Sequence, residues 1–218
     1  MDVARPYLAL LPPVRAATLL ALRRTVAPMT GREVARRAGV SQPAVLEALK
    51  QFVEHGLVWS QPAGGANLYS LNEEHLLVAA VDEIFDVRAK FVNRMAAAVS
   101  HWEIPPLHVS VFGSMARGDG GRDSDIDLLV VRPRFVDEES DDFVWRGQLD
   151  TLVHEVKLWT GNRAALVELS SEELRTMNRD KHRLLTEIRR DGIRVCGEYL
   201  DKILLRKPER ARQHSVAG

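Results

Sequence analysis

Two aspartates one residue apart, Asp125 and Asp127, stand at the head of the apolar run Leu128-Leu129-Val130-Val131. Side chains alternate along a strand, so the pair projects from one face. An isolated ionised carboxylate buried among such neighbours carries a large desolvation penalty. A divalent cation offsets that penalty. Hard carboxylate oxygens suit Mg²⁺, which keeps several waters and takes further oxygens from substrate phosphates. Upstream, Leu107-His108-Val109-Ser110-Val111-Phe112 reads as a strand that runs into Gly113-Ser114-Met115-Ala116-Arg117-Gly118. A Gly-Ser turn at a strand's end, opening a short helix, lets backbone amides approach an anion, and Ser114 adds a hydroxyl donor. Amide donors for phosphate, a carboxylate pair and a short loop between them are the parts needed for phosphoryl or nucleotidyl transfer with two metals about 4 Å apart.

These residues need elements to hold them. The segment from Asp141 to Trp159 reads as a helix with Val144, Leu149, Leu152, Val153 and Val156 inward, and Arg163 to Leu169 as the next strand. Ser170 and Glu173 have the spacing of a capping box, which opens a further helix, and Asp180 to Arg190 reads as another. Gly192 to Cys196 is a closing strand, and His108 reads as a packed strand residue. The end of the sequence, Arg206 to Arg212, is basic and reads as a solvated tail.

The first third has a different pattern. Ala16, Leu19, Leu22 and Val26 recur at helical spacing after Pro12-Pro13. Thr30-Gly31-Arg32-Glu33 forms a capping box for a short helix ending at Gly39, and Ser41 with Pro43 opens a third helix that Gly56 stops. Leu57 to Ser60 and Asn67 to Leu71 then form a hairpin around Pro62-Ala63-Gly64-Gly65. From Asn72 a single long helical stretch is expected through Val99, with Leu77, Ala80, Val81, Ile84, Val87 and Phe91 on its apolar side, until Pro105-Pro106 ends it.

The chain of 218 residues carries 30 basic and 30 acidic side chains, which argues against polyanion binding by bulk charge. The balance is uneven, because residues 1–72 hold eight basic and four acidic side chains, a difference of +4, and the remainder sums to −4. One cysteine, Cys196, excludes an internal disulfide and a Cys-rich zinc site and fits a reducing cytoplasm. The sequence shows neither a secretory pattern at its start nor a run of eighteen apolar residues, so a cytoplasmic protein without membrane spans is expected.

Helix, helix-turn-helix and hairpin in that order resemble the winged helix-turn-helix regulators. The resemblance implies DNA contacts from Arg32, Arg36 and Arg37 to phosphate, with Gln42 and Lys50 on the helix that enters the major groove. A winged helix used for protein contacts or dimerisation is the competing reading. The stretch Gly113-Ser114 followed by Ser124-Asp125-Ile126-Asp127 resembles the signature of the DNA polymerase β-like nucleotidyltransferases, in particular the minimal nucleotidyltransferases. That resemblance implies triphosphate binding by Gly113 and Ser114, with Arg117 and Ser124 beside it, and two Mg²⁺ ions on Asp125 and Asp127. It also implies a third acid on a later strand that shares the catalytic metal and draws the proton from the attacking hydroxyl. Glu168, inside an apolar run, is the expected third acid.

The expected architecture is α/β (α+β): a winged helix over 1–72, a helical connector over 73–104, a nucleotidyltransferase mixed sheet with flanking helices over 105–197, and a C-terminal helix and basic tail over 198–218. The expected activity is Mg²⁺-dependent transfer of a nucleoside monophosphate from an NTP, with ATP as the expected triphosphate, to a hydroxyl of a protein, RNA or small molecule. DNA and a second copy of the chain are the other partners considered. The rival expectation is a DNA-binding transcriptional regulator or antitoxin-like protein whose transferase domain only binds nucleotide, and the direction of Glu168 separates the two.

Overall fold

A computed structural model describes residues 1–2, 4–121, 123–133 and 139–206. It divides into two compact units, Met1–Phe91 and the chain from Val92 onward. The basic stretch after Arg206 lies outside the described residues.

The first unit contains α1 (Pro13–Arg23), β1 (Met29–Thr30), α2 (Gly31–Ala38), α3 (Gln42–Glu54), β2 (Val58–Ala63), β3 (Ala66–Leu71) and α4 (Leu77–Phe85). The Thr30 hydroxyl accepts from the Glu33 amide at 3.3 Å, and the Glu33 carboxylate accepts from the Thr30 amide at 2.8 Å, so the expected capping box forms. Gly39 ends α2 in the left-handed conformation. Ser41 occupies the N-cap of α3 but makes no side-chain cap bond. Leu22, Val34, Val45, Leu49 and Val58 form the buried centre.

The hairpin is longer than its sequence pattern indicates, with Ala63 paired to Ala66 and Gly64-Gly65 alone in the turn, both at positive φ. Pro62 fits inside β2 because the sheet order is β1-β3-β2, and an edge strand tolerates a missing amide. The two-residue β1 is too short to leave a periodic signal. The expected single connector helix breaks at Asp86, between α4 and α5 (Val87–Val99).

The second unit contains β4 (His108–Phe112), α6 (Gly113–Arg117), β5 (Ile126–Arg132), α7 (Glu139–Thr160), β6 (Ala164–Ser170), α8 (Ser171–Arg179), α9 (Arg183–Asp191), β7 (Ile193–Gly197) and α10 (Leu200–Leu205). The sheet order is β6-β5-β4-β7, with β5 and β6 parallel and the other pairs antiparallel. Both sheet faces are covered. One carries Phe112, Leu129 and Val131 against Leu174, Leu185, Ile188, Leu200 and Ile203 from α8, α9 and α10. The other presents Val109, Val111, Ile126, Leu128 and Val130, all buried, on the side where α7 supplies Trp145, Leu149, Leu152 and Val156. Trp102 meets Trp145 edge to face at 5.6 Å between ring centres, and the Gln148 side chain closes both polar groups of Ile104. Among the described residues no helix is long and apolar enough to cross a membrane.

Candidate nucleotide and metal site

Register places the site. Phe112, the last residue of β4, pairs with Asp127 near the start of β5, so the turn into α6 passes directly over the Asp127 carboxylate. Gly113 adopts φ +68°, and a Cβ there would lie 1.9 Å from Asp127 Oδ2. Only glycine supplies both the left-handed backbone and the open space. Past α6 the loop folds back on the same turn, where the Ser114 carbonyl accepts from the amides of Gly118, Asp119 and Gly120 at 3.0, 3.1 and 3.2 Å. The other end is anchored as well. The Ser124 hydroxyl accepts from the Gly121 amide at 2.9 Å, and buried Asn162 donates to the Ser124 carbonyl at 2.9 Å. Ser124 therefore holds the loop with its hydroxyl.

Asp125 is exposed and Asp127 is half-buried. Burial pushes the Asp127 carboxyl above its ordinary range, the neighbouring Asp125 charge adds to the rise, and Arg117 opposes it. Arg117 donates from Nε to Asp119 Oδ2 at 3.0 Å and also feels Asp191 and Glu187 of α9. The arginine thus sits beside the carboxylate pair and is oriented by an aspartate of the loop.

Glu168 does not join this group. In the parallel β5–β6 ladder Asp127 pairs with Ala165, and Glu168 pairs with Val130. Paired residues share a face and successive residues alternate. Asp127 therefore shares its face with Ala165, Val167 and Leu169, whereas Glu168 points to the opposite face. There its carboxylate accepts from Trp145 Nε1 at 2.8 Å and from Arg146 Nη1 at 2.6 Å, with Arg132 at 3.8 Å. The expectation that Glu168 completes the metal site is corrected by this geometry: its oxygens are occupied in tying α7 to the sheet. No group of three or more His, Cys, Asp and Glu placed to hold a metal occurs among the described residues. The donor set of Asp125 and Asp127 fits one divalent cation that would take its remaining ligands from water and phosphate oxygens. It does not provide the extra carboxylate of a fully protein-held metal pair.

In the first unit Arg32, Arg36 and Arg37 of α2 and Gln42 and Lys50 of α3 are all exposed. Gln51, also on α3, is engaged internally, donating to Glu47 at 3.0 Å and accepting from Arg15. Sequence reasoning missed Asn162, Asp119 and the Trp145–Arg146 pair. Each acts through a partner distant in sequence or through loop geometry, and none carries a local pattern.

Residues 92–190 match the family model of the nucleotidyltransferase domain, and residues 14–62 match that of the IclR helix-turn-helix domain. The chain therefore carries a nucleotidyltransferase domain preceded by an IclR-type helix-turn-helix domain. The first match begins at Val92, where the second compact unit begins. No curated protein matches the chain.

Proposed function

We propose that the protein is a DNA-associated regulator whose nucleotidyltransferase domain binds an NTP with one divalent cation, and that nucleotide occupancy, not nucleotide transfer, is its principal output. The observation that carries this reading is the face of the sheet to which Glu168 points. Transfer requires an acceptor hydroxyl to lose its proton, attack the α-phosphorus and displace pyrophosphate. A carboxylate beside the metal pair is the group that takes such a proton, and the described positions on Asp127's face of β6 are alanine, valine and leucine.

Binding needs less. The amides of Gly113 and Ser114 would hold the triphosphate, Arg117 would neutralise charge beside it, and Asp125 with Asp127 would hold Mg²⁺, which would supply charge neutralisation of the phosphates. The raised carboxyl of Asp127 supports this assignment, since a cation relieves the cost of both its burial and its neighbour. ATP is the triphosphate expected, and the cytoplasm, where ATP and Mg²⁺ are both present, is the compartment this reading requires. In the first domain α3 would enter the major groove with Gln42 and Lys50 at base edges, while Arg32, Arg36 and Arg37 contact phosphates.

The second reading, transfer to a protein, RNA or small-molecule hydroxyl, is supported by the close approach of Gly113 to Asp127, which would bring the triphosphate turn against a metal-binding carboxylate. Equilibrium dialysis of α-labelled ATP with Mg²⁺, run beside a label-transfer assay on cell lysate, distinguishes the two. Saturable binding lost in Asp125→Ala/Asp127→Ala without covalent label supports the regulator, and covalent label dependent on both aspartates supports the transferase.

A further inference from the structure

The face of β4 that ends at Phe112 carries two more polar residues, His108 and Ser110, at the far end of the strand from the candidate site. His108 is 3% exposed and Ser110 2%. The imidazole Nε2 and the serine Oγ are buried without a hydrogen-bond partner. Buried polar atoms are almost always paired, and leaving one unmatched is costly. Here two lie at i and i+2 on one face of one strand, and both residues line one cavity of about 250 Å³ between the sheet and α9, with the two unpaired atoms set just beneath its surface. The β4–β7 ladder shifts register between Val109 and Ser110, a bulge of the kind that re-aims side chains at binding sites.

The chemistry of the floor is defined. His108 Nδ1 lies 2.7 Å from the Glu198 carbonyl, which can only accept, so Nδ1 carries the proton and Nε2 presents a bare lone pair. Burial holds the ring neutral by pushing its pKa below the ordinary histidine value. The floor therefore offers an acceptor at His108 and a hydroxyl at Ser110 that serves either way. At the rim the Arg194 guanidinium lies 4.4 Å from the centre of the Tyr199 ring and donates to the Gly197 carbonyl at 2.7 Å, with no carboxylate bonded to it among the described residues. Arg189, also at the rim, is held by Asp201 and Asn178. Ile188 and Leu200 supply apolar wall.

We propose that this cavity is a second ligand site, separate from Asp125 and Asp127, for a small anionic metabolite that carries a hydroxyl or amino donor. The donor meets His108 Nε2, a neighbouring polar group meets Ser110, and the anionic group meets Arg194. A cavity of ~150 Å³ accepts the six carbons of benzene, so this one takes about ten non-hydrogen atoms. That size admits a hydroxy- or amino-carboxylate and excludes a nucleotide. His108 pairs with Val131, four residues along β5 from Asp127, which sets the floor about 13 Å from the Gly-Ser turn along the strand.

The test uses the full chain with ¹⁵N-labelled histidine and follows the Nε2 resonance of His108, assigned by its loss in His108→Gln. The probes are malate and serine, with acetate as an anion lacking the donor. The expected result is a saturable Nε2 shift with malate or serine below about 10 mM. Acetate should produce none. Ser110→Ala and Arg194→Gln should each weaken the response about tenfold, and Asp125→Ala/Asp127→Ala should leave it unchanged. Should Nε2 stay fixed with both donor-bearing probes, or move equally with acetate and in the Ser110→Ala/Arg194→Gln double variant, the cavity holds water and the proposal is overturned. Ser110 and Arg194 keep the test independent of whether His108→Gln folds.

Discussion

Replacing Gly113 by alanine isolates the contact on which the candidate site depends. At φ +68° an L-residue pays about 1–2 kcal/mol in backbone strain. The added Cβ would also stand 1.9 Å from Asp127 Oδ2, where real Cβ contacts stay beyond 3.0 Å. The carboxylate must rotate away, and an off-rotamer side chain costs about 0.5–1.5 kcal/mol. The two effects together give about 1.5–3.5 kcal/mol of lost stability for Gly113→Ala. In an Asp127→Ala background the atoms closest to the new Cβ, Oδ2 and Cγ, are gone, and only the backbone strain of about 1–2 kcal/mol should remain. The double-mutant cycle therefore predicts a coupling of about 0.5–1.5 kcal/mol between the positions. Urea unfolding read by tryptophan fluorescence measures it. In a Trp59→Phe background the remaining tryptophans, Trp102, Trp145 and Trp159, all lie in the second unit, so the signal reports that unit alone. An equal cost for Gly113→Ala with and without the Asp127 carboxyl would refute the close approach.

Three further outcomes are expected. Ala165→Asp puts a carboxylate on the strand beside Asp127 and on its face, within about 5 Å across the ladder; it should tighten Mn²⁺ binding measured by electron paramagnetic resonance, and no change in affinity would count against the assigned register. Because burial lowers the pKa of His108, the unfolded chain takes the proton first as pH falls below about 6.5. His108 therefore contributes a loss of stability from that pH down to its folded pKa, and His108→Gln should flatten this part of the urea-midpoint profile; an unchanged slope would show that the ring is not held neutral. For the first domain, removing Arg32, Arg36 and Arg37 together should reduce the slope of log affinity against log salt for duplex DNA by about 3, and a slope that stays put would remove these arginines from the phosphate contacts.

What the sequence made legible was local. The Thr30–Glu33 and Ser170–Glu173 capping boxes, the Gly39 stop and the apolar face of α1 through Leu22 each follow from neighbours within a few residues, and each forms, whereas the expected Val26 falls beyond the end of α1 and is exposed. The Gly113-Ser114 turn is also local, whereas Asp125 lies one residue before β5, where strand alternation no longer applies, and it reaches Asp127 through its charge. Glu168 was misplaced for a reason of range. Its parity within β6 can be counted, but which parity shares a face with Asp127 depends on the β5–β6 register, set by a ladder between residues some forty apart. The break at Asp86 and the two-residue β1 were hidden because apolar spacing continues across the first and cannot develop over the second. The unpaired polar floor at His108 and Ser110 was invisible as well, since alternation predicts burial and not the lack of a partner.

We propose that the nucleotidyltransferase domain binds nucleotide through Asp125 and Asp127 without efficient transfer, since the described β6 positions on Asp127's face are Ala165, Val167 and Leu169. The decisive experiment incubates the purified 218-residue chain with Mg²⁺ and α-labelled ATP in cell lysate, then applies equilibrium dialysis and denaturing separation to the same sample. The expected result is saturable binding abolished by Asp125→Ala/Asp127→Ala and no label in any covalent product. Covalent label that appears with the parent protein, disappears with the aspartate pair and persists in Glu168→Gln would contradict it.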